Sequence, residues 1–117
     1  MNNVLGVIAP DPIGKQLGTG YERFSSSCGI DGLAKVNGYR LDVLAVINPT
    51  GRPGRFRLFI TLCKVEFDTI CIWNITNPIV AGALTRYGFT AEVEITNLGE
   101  AIEGMRWDKK LAHPTKP

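Results

Sequence analysis

The chain has 117 residues, of which 44% are hydrophobic, 21% charged and 9% aromatic, and its 13 basic and 11 acidic residues leave a net charge of +2. That is one domain with enough apolar material for a core, and it excludes a disordered tail, a collagen-like repeat, a dense disulfide scaffold and two full domains. So small a basic excess gives no support for nucleic-acid binding, which usually shows a strong positive bias.

The run Val4-Leu5-Gly6-Val7-Ile8-Ala9 reads as a short strand stopped by Pro10 and Pro12, which remove backbone donors. No Lys or Arg precedes Lys15, and the run is too short for a signal-peptide core. No stretch approaches the roughly 20 apolar residues of a membrane span. The expectation is therefore a cytoplasmic protein, of a cell or of an infected cell, with no membrane partner. From Asp11 to Gly32 the chain is rich in Gly, Ser and polar residues and reads as loop, with one helical turn around Tyr21 to Phe24. Asn37-Gly38 suits a tight hairpin turn between a short strand and a longer one. On the longer strand Tyr39, Leu41, Val43, Ala45 and Ile47 share a face, and the opposite face passes from Arg40 and Asp42 to Leu44 and Val46.

Asn48 to Gly54 is a loop by composition. Arg55 to Glu66 carries apolar residues at helical spacing, namely Phe56, Phe59, Ile60 and Cys63, with Phe67 following and Leu58, Leu62 and Val65 widening the stripe. Thr69 to Ile75 is a β-branched run and reads as a buried strand. The Asn74-Ile75-Thr76 glycosylation pattern within it is taken as accidental. Asn77-Pro78 is an N-cap followed by proline at the first helical position. Ile79, Val80, Ala83, Leu84 and Tyr87 form an apolar helix face, and Gly88 is placed to end the helix. Phe89 to Ile95 alternates as a strand, a turn follows at Asn97 to Glu100, and a last strand runs roughly from Ala101 to Trp107. The charged tail from Asp108 is expected at the surface.

Cys28, Cys63 and Cys71 lack C-x-x-C spacing and have only His113 to join them, so neither a zinc site nor a disulfide framework is expected. Cys63 and Cys71 lie among apolar neighbours and read as core residues, and Cys28 as a loop thiol. Strands alternating with helices imply an α/β (α+β) fold, a mixed sheet with helices on its faces.

About two thirds of the chain, Leu33 to Leu111, resembles the GNAT superfamily of acyl-CoA-dependent N-acyltransferases. The first segment that carries the resemblance is the strand, loop and helix start from Leu41 to Arg55. The second is the helix Asn77-Pro78-Ile79-Val80-Ala81-Gly82-Ala83-Leu84-Thr85-Arg86-Tyr87 with Gly88-Phe89 after it. The third is the closing strand with Met105-Arg106-Trp107. The resemblance implies a single GNAT-like domain over residues 1–117, with an irregular, reduced N-terminal part (1–32), a core (33–111) and a tail (112–117). It implies acetyl-CoA as cofactor and an amine as acceptor. The pantetheine arm would lie along the edge at Val46 and Ile47, the diphosphate at Gly51, Arg52, Gly54 and Arg55, and Asn77 where two central parallel strands part. Independently of any family, a glycine-rich turn opening a helix exposes N–H groups to an anion, and arginines pair with phosphate through forked donors.

With the family's first loop glycine placed on Gly54, Gly51 falls at its Gln or Arg position and Phe56 at its final small residue. Phe56 would either block the diphosphate or point into the core. The family's general-acid tyrosine position is Leu84, and Tyr87 is nearly one helical turn away. Tyr87 would be either the acid that meets a thiolate or a core aromatic. Asp42, or a water, would be the base that takes the amine's proton, with Asp31 and Glu22 as further carboxylates. The N-terminal third is too short to build the usual acceptor wall, so a substrate pocket would either be borrowed from a partner subunit in a homo-oligomer or larger assembly or be absent. The chain is also similar, in length, loop and Leu84, to GNAT-like virion-associated proteins of tailed phages. That likeness implies a non-catalytic structural or interaction role in the virion.

Overall fold

The computed structural model describes residues 4–10 and 20–112. Strands β1 (Val7–Pro10), β2 (Glu22–Ser25), β3 (Asp31–Asn37) and β4 (Arg40–Ile47) come first. Helix α1 (Arg55–Glu66) then leads to β5 (Thr69–Trp73), and α2 (Pro78–Arg86) to the hairpin of β6 (Thr90–Ile95) and β7 (Ala101–Asp108). A single helical turn, α3 (Lys109–Ala112), follows. The strands form one sheet in the order β1-β2-β3-β4-β5-β7-β6. β4 and β5 run parallel, with α1 as the crossover that a parallel pair requires. Every other neighbouring pair is antiparallel. The fold is mixed α/β, as the alternation of elements implies.

Residues paired across the sheet share a face, so the register places Leu41, Ile70 and Trp107 in one row and Val43, Ile72 and Met105 in the next. These rows pack against Phe59, Ile60 and Cys63 of α1, together with Leu84 and Phe89, in one hydrophobic core. Phe59 is fully buried and stacks on Phe24 of β2 at 5.5 Å between ring centroids. Burying one such side chain stabilises the fold by about 1.5–3 kcal/mol. The core stripe of α1 is narrower than its composition suggests, because Leu58 and Val65 are exposed. At ~100° per residue they point about 150–180° away from the Phe59-Ile60-Cys63 side.

Helix α2 is bounded by chemistry that the sequence displays. The Asn77 side chain accepts from the Ile79 N–H at 2.9 Å, with Pro78 at the first position. At the other end Gly88 is left-handed, and the Gly88 and Phe89 amides donate to Thr85 and Leu84, the crossed pair of a Schellman cap. Lys64 of α1 donates to the Tyr87 carbonyl and lies over the Trp107 ring, which ties the two helices together.

Several expectations need correction. Glu22 to Ser25 is a strand rather than a helical turn, paired to β1 and β3 on its two sides. Residues 11–19 of the expected loop, and His113, lie outside the described residues. Pro10 does not stop β1 but closes it, pairing with Glu22 on an edge strand where a missing donor is tolerated. The hairpin turn is Gly38-Tyr39, one residue later than expected, with Asn37 and Arg40 paired in the ladder. A glycine with φ 63° at the first turn position, followed by a residue of negative φ, suits a primed hairpin turn. Cys28 lies in the turn between β2 and β3, as expected of a loop thiol, but its side chain is buried, in contact with Ser26 Oγ at 3.3 Å. Ile79 is exposed on α2, and Val93 and Ile95 on the edge strand β6, despite their helical and alternating spacing. Asp108 belongs to β7, and a helical turn continues from it.

Candidate functional site

The parallel ladder of β4 and β5 is short. Arg40 to Val43 pair with Thr69 to Ile72, and beyond that point the strands part. On the β3 side, Ala34 pairs with Val43 and Leu33 with Ala45, so Leu44 is an extra residue, a β-bulge. The bulge interrupts the expected alternation. Val46 packs against the core and Ile47, expected on the same face as Leu41 and Val43, is 60% exposed.

Where the strands part they enclose a cleft of about 390 Å³, within the size range of small-molecule sites. Leu44, Ala45 and Val46 form one wall and Trp73 to Asn77 the other. Ile30, Phe56 and Val80 supply apolar surface around them. No titratable side chain lines this cleft among the described residues.

The glycine loop adjoins the cleft, since Asn48 at its start and Phe56 just beyond its end are both part of the lining. Asn48 Nδ2 donates to the Arg52 carbonyl at 2.9 Å and Thr50 Oγ1 to Asn48 Oδ1 at 2.8 Å, which folds the loop on itself. Gly51 and Gly54 are left-handed, with nothing close to where a side chain would project. Gly54 caps α1 without a side-chain bond and the first turn holds no acid. No acidic or capping side chain therefore opposes the N–H groups of that turn or the partial positive charge of the helix end. Arg52 is exposed and Arg55 half-buried beside it. Phe56 packs against the core and presents the rest of its surface to the cleft.

The structure thus brings Val46 and Asn77 into the cleft wall and Gly51, Arg52, Gly54 and Arg55 onto the adjoining loop and helix start, with Ile47 outside the lining. Asp42 and Tyr87 are elsewhere. Asp42 is 5% exposed, on the sheet face opposite the helices. Arg40 donates to both of its oxygens, with Nε at 3.1 Å and Nη2 at 3.0 Å, and Trp73 Nε1 donates to Oδ1 at 3.0 Å. A carboxylate so engaged fastens β4 to β5. The guanidinium of Arg40 also reaches Glu94 at 3.1 Å, and its bond to Asp42 holds its pKa above the ordinary value. Tyr21 lies near Asp42 and Glu94, and burial, aided by those carboxylates, pushes its phenol up to about 12. In the same region burial pushes the Cys71 thiol up to about 11, and on the helix side it raises Cys63 as well. Tyr87 caps α2 and packs against the core, and Leu84 is fully buried. Of the other carboxylates, Asp31 accepts from Ser25 Oγ at 2.9 Å and Glu22 is exposed on β2. Neither lines the cleft.

Trp73, Asn74 and Leu44 belong to the cleft without having been singled out by the sequence. The available signal was weak: an asparagine closing a β-branched run, a residue type that tolerates left-handed backbone. Among the described residues no group of three or more His, Cys, Asp or Glu could hold a metal ion, and no helix is long and apolar enough to cross a membrane. Comparison with protein-family models and with curated protein sequences gives no match.

Proposed function

We propose that the chain is a GNAT-like protein whose cleft between β4 and β5 binds an acyl-CoA such as acetyl-CoA, with its transferase chemistry reduced. One observation carries this reading. A single parallel strand pair parts over an apolar cleft, and the same strand runs on through a glycine loop to an uncapped helix start with two arginines. The neutral pantetheine arm suits the apolar walls, where unpaired strand edges at Leu44 to Ile47 and Trp73 to Ile75 would bond its amides. The first turn of α1, with Arg52 and Arg55, would take the diphosphate. Bound acyl-CoA would supply the thioester that an amine attacks. No side chain of the cleft walls can take the amine's proton, which would pass to water.

That last point favours a second reading, a structural or interaction protein of the same fold, in the manner of the virion-associated phage proteins. Asp42 is engaged by three donors and Leu84 stands buried at the acid position. A place in the cytoplasm goes with the first reading and a place in a virion with the second. Calorimetric titration with acetyl-CoA separates them. Binding that weakens at least about tenfold in Arg52→Ala/Arg55→Ala supports the first, since losing charge-assisted phosphate bonds costs about 1.5–3 kcal/mol. No heat at near-millimolar ligand, together with a stable hetero-complex, supports the second.

A further inference from the structure

We propose that Asn74 is the positioning residue that opens the cleft: its left-handed backbone turns β5 away from β4 just past their last paired residues and sets the width available to a ligand. The geometry stands by itself, and the ligand chosen to probe it rests on the acyl-CoA reading above.

Asn74 has φ 55° and is the one non-glycine residue with positive φ among the described residues. That conformation costs an ordinary L-residue roughly 1–2 kcal/mol, and asparagine is among the few that visit it readily. Such backbone persists where the surroundings enforce it, and it gathers at binding and switch sites. Here the enforcing contact is on the far side. The Asn74 N–H donates to the Glu103 carbonyl at 3.0 Å, so β5 keeps its hold on β7 while it leaves β4. Gly104, paired with Trp73, allows this close approach, because a Cβ there would collide with the Ile72 carbonyl and the Trp73 ring.

The opposite strand is irregular at the same level. The last parallel pair is Val43 with Ile72, and the bulge at Leu44 follows at once on β4. Each strand therefore departs from regular geometry within two residues of the same pair. Behind them the bond from Trp73 Nε1 to Asp42 fixes the point of divergence. The strands cannot rejoin without undoing one of these features. Asn74 is the one that depends on a single residue's backbone preference.

The test is a substitution series at Asn74 in the full chain, read by calorimetric affinity for acetyl-CoA and by amide hydrogen exchange over Leu44 to Ile47, with circular dichroism to confirm folding. Left-handed backbone is easiest for Gly, then Asn, then Ala, and hardest for a β-branched residue. Affinity is expected within about threefold of the parent for Asn74→Gly, about tenfold weaker for Asn74→Ala and weaker still for Asn74→Val. Exchange over Leu44 to Ile47 is expected to slow in the same order as the strands close. Equal losses for Asn74→Gly and Asn74→Ala would mark a side-chain contact and overturn the proposal. If Asn74→Val fails to fold, the Gly and Ala pair decides. If the parent chain binds no acetyl-CoA, the ligand reading fails alone and exchange decides: a Leu44 to Ile47 segment unchanged across the series overturns the proposal.

Discussion

The two ends of the β4–β5 pair are built from the same strands and do opposite things. At the paired end, Leu41, Val43, Ile70 and Ile72 are buried against α1, and on the other face Arg40, Asp42 and Trp73 bond the strands together. At the open end, a bulge and a left-handed asparagine release the strands, and backbone edges face a cleft without charge. The most conspicuous ionisable group near the site, Asp42, therefore belongs to the end that closes the sheet. The part that can receive a ligand is made of apolar walls and main chain.

The largest effect is expected at Asp42. Asp42→Ala leaves the Trp73 indole N–H and the Arg40 guanidinium without their acceptor. Because Arg40 remains partly solvated and keeps Glu94, the expected loss is about 2 kcal/mol in urea denaturation. Any transfer activity should be lost no faster than the folded fraction. A catalytic base would instead lose activity at full stability.

A smaller effect is expected from pH. Burial raises the Tyr21 phenol to about 12, against an unfolded value near 10. A raised folded pKa means that its contribution is complete below pH ~10 and disappears as pH climbs from there toward 12. The parent chain is therefore expected to lose about 1–2 kcal/mol over that interval relative to Tyr21→Phe, measured by denaturation at each pH. Parallel curves for the two would show that the phenol is not held at the closed end. The smallest effect is expected at Leu58, exposed on the outer side of α1. Leu58→Gln should change stability by under about 0.5 kcal/mol, and a larger loss would mean that this side of the helix is covered.

Features governed by local chemistry were legible in the sequence. α1 was bounded by its apolar spacing from Arg55 to Glu66, and α2 by Asn77-Pro78 and Gly88, because caps and periods act over a few residues. What depends on distant partners was not. β2 has four residues and one buried side chain, Phe24, too few to show a period, and it exists because β1 and β3 flank it. The spacing at Val93 and Ile95 matches a buried strand, yet β6 is an edge with nothing over those side chains among the described residues. For the site, the glycine loop was marked by its residue types, whereas Val46 and Asn77 were marked only by the family resemblance. The bulge at Leu44 and the turn at Asn74 were not, because the bulge depends on the pairing with β3, and asparagine's tolerance of left-handed backbone becomes a turn only where the bond to β7 holds the chain there.

In the proposed function the open end, and not the paired end, receives an acyl-CoA. Titrating isotope-labelled protein with acetyl-CoA and following backbone amide shifts tests it directly. The shifts are expected to concentrate on Leu44 to Phe56 and Trp73 to Val80, with Arg40 to Asp42 and Thr69 to Cys71 unmoved. Shifts centred on Arg40, Asp42 and Tyr21, or none at near-millimolar ligand, would contradict it.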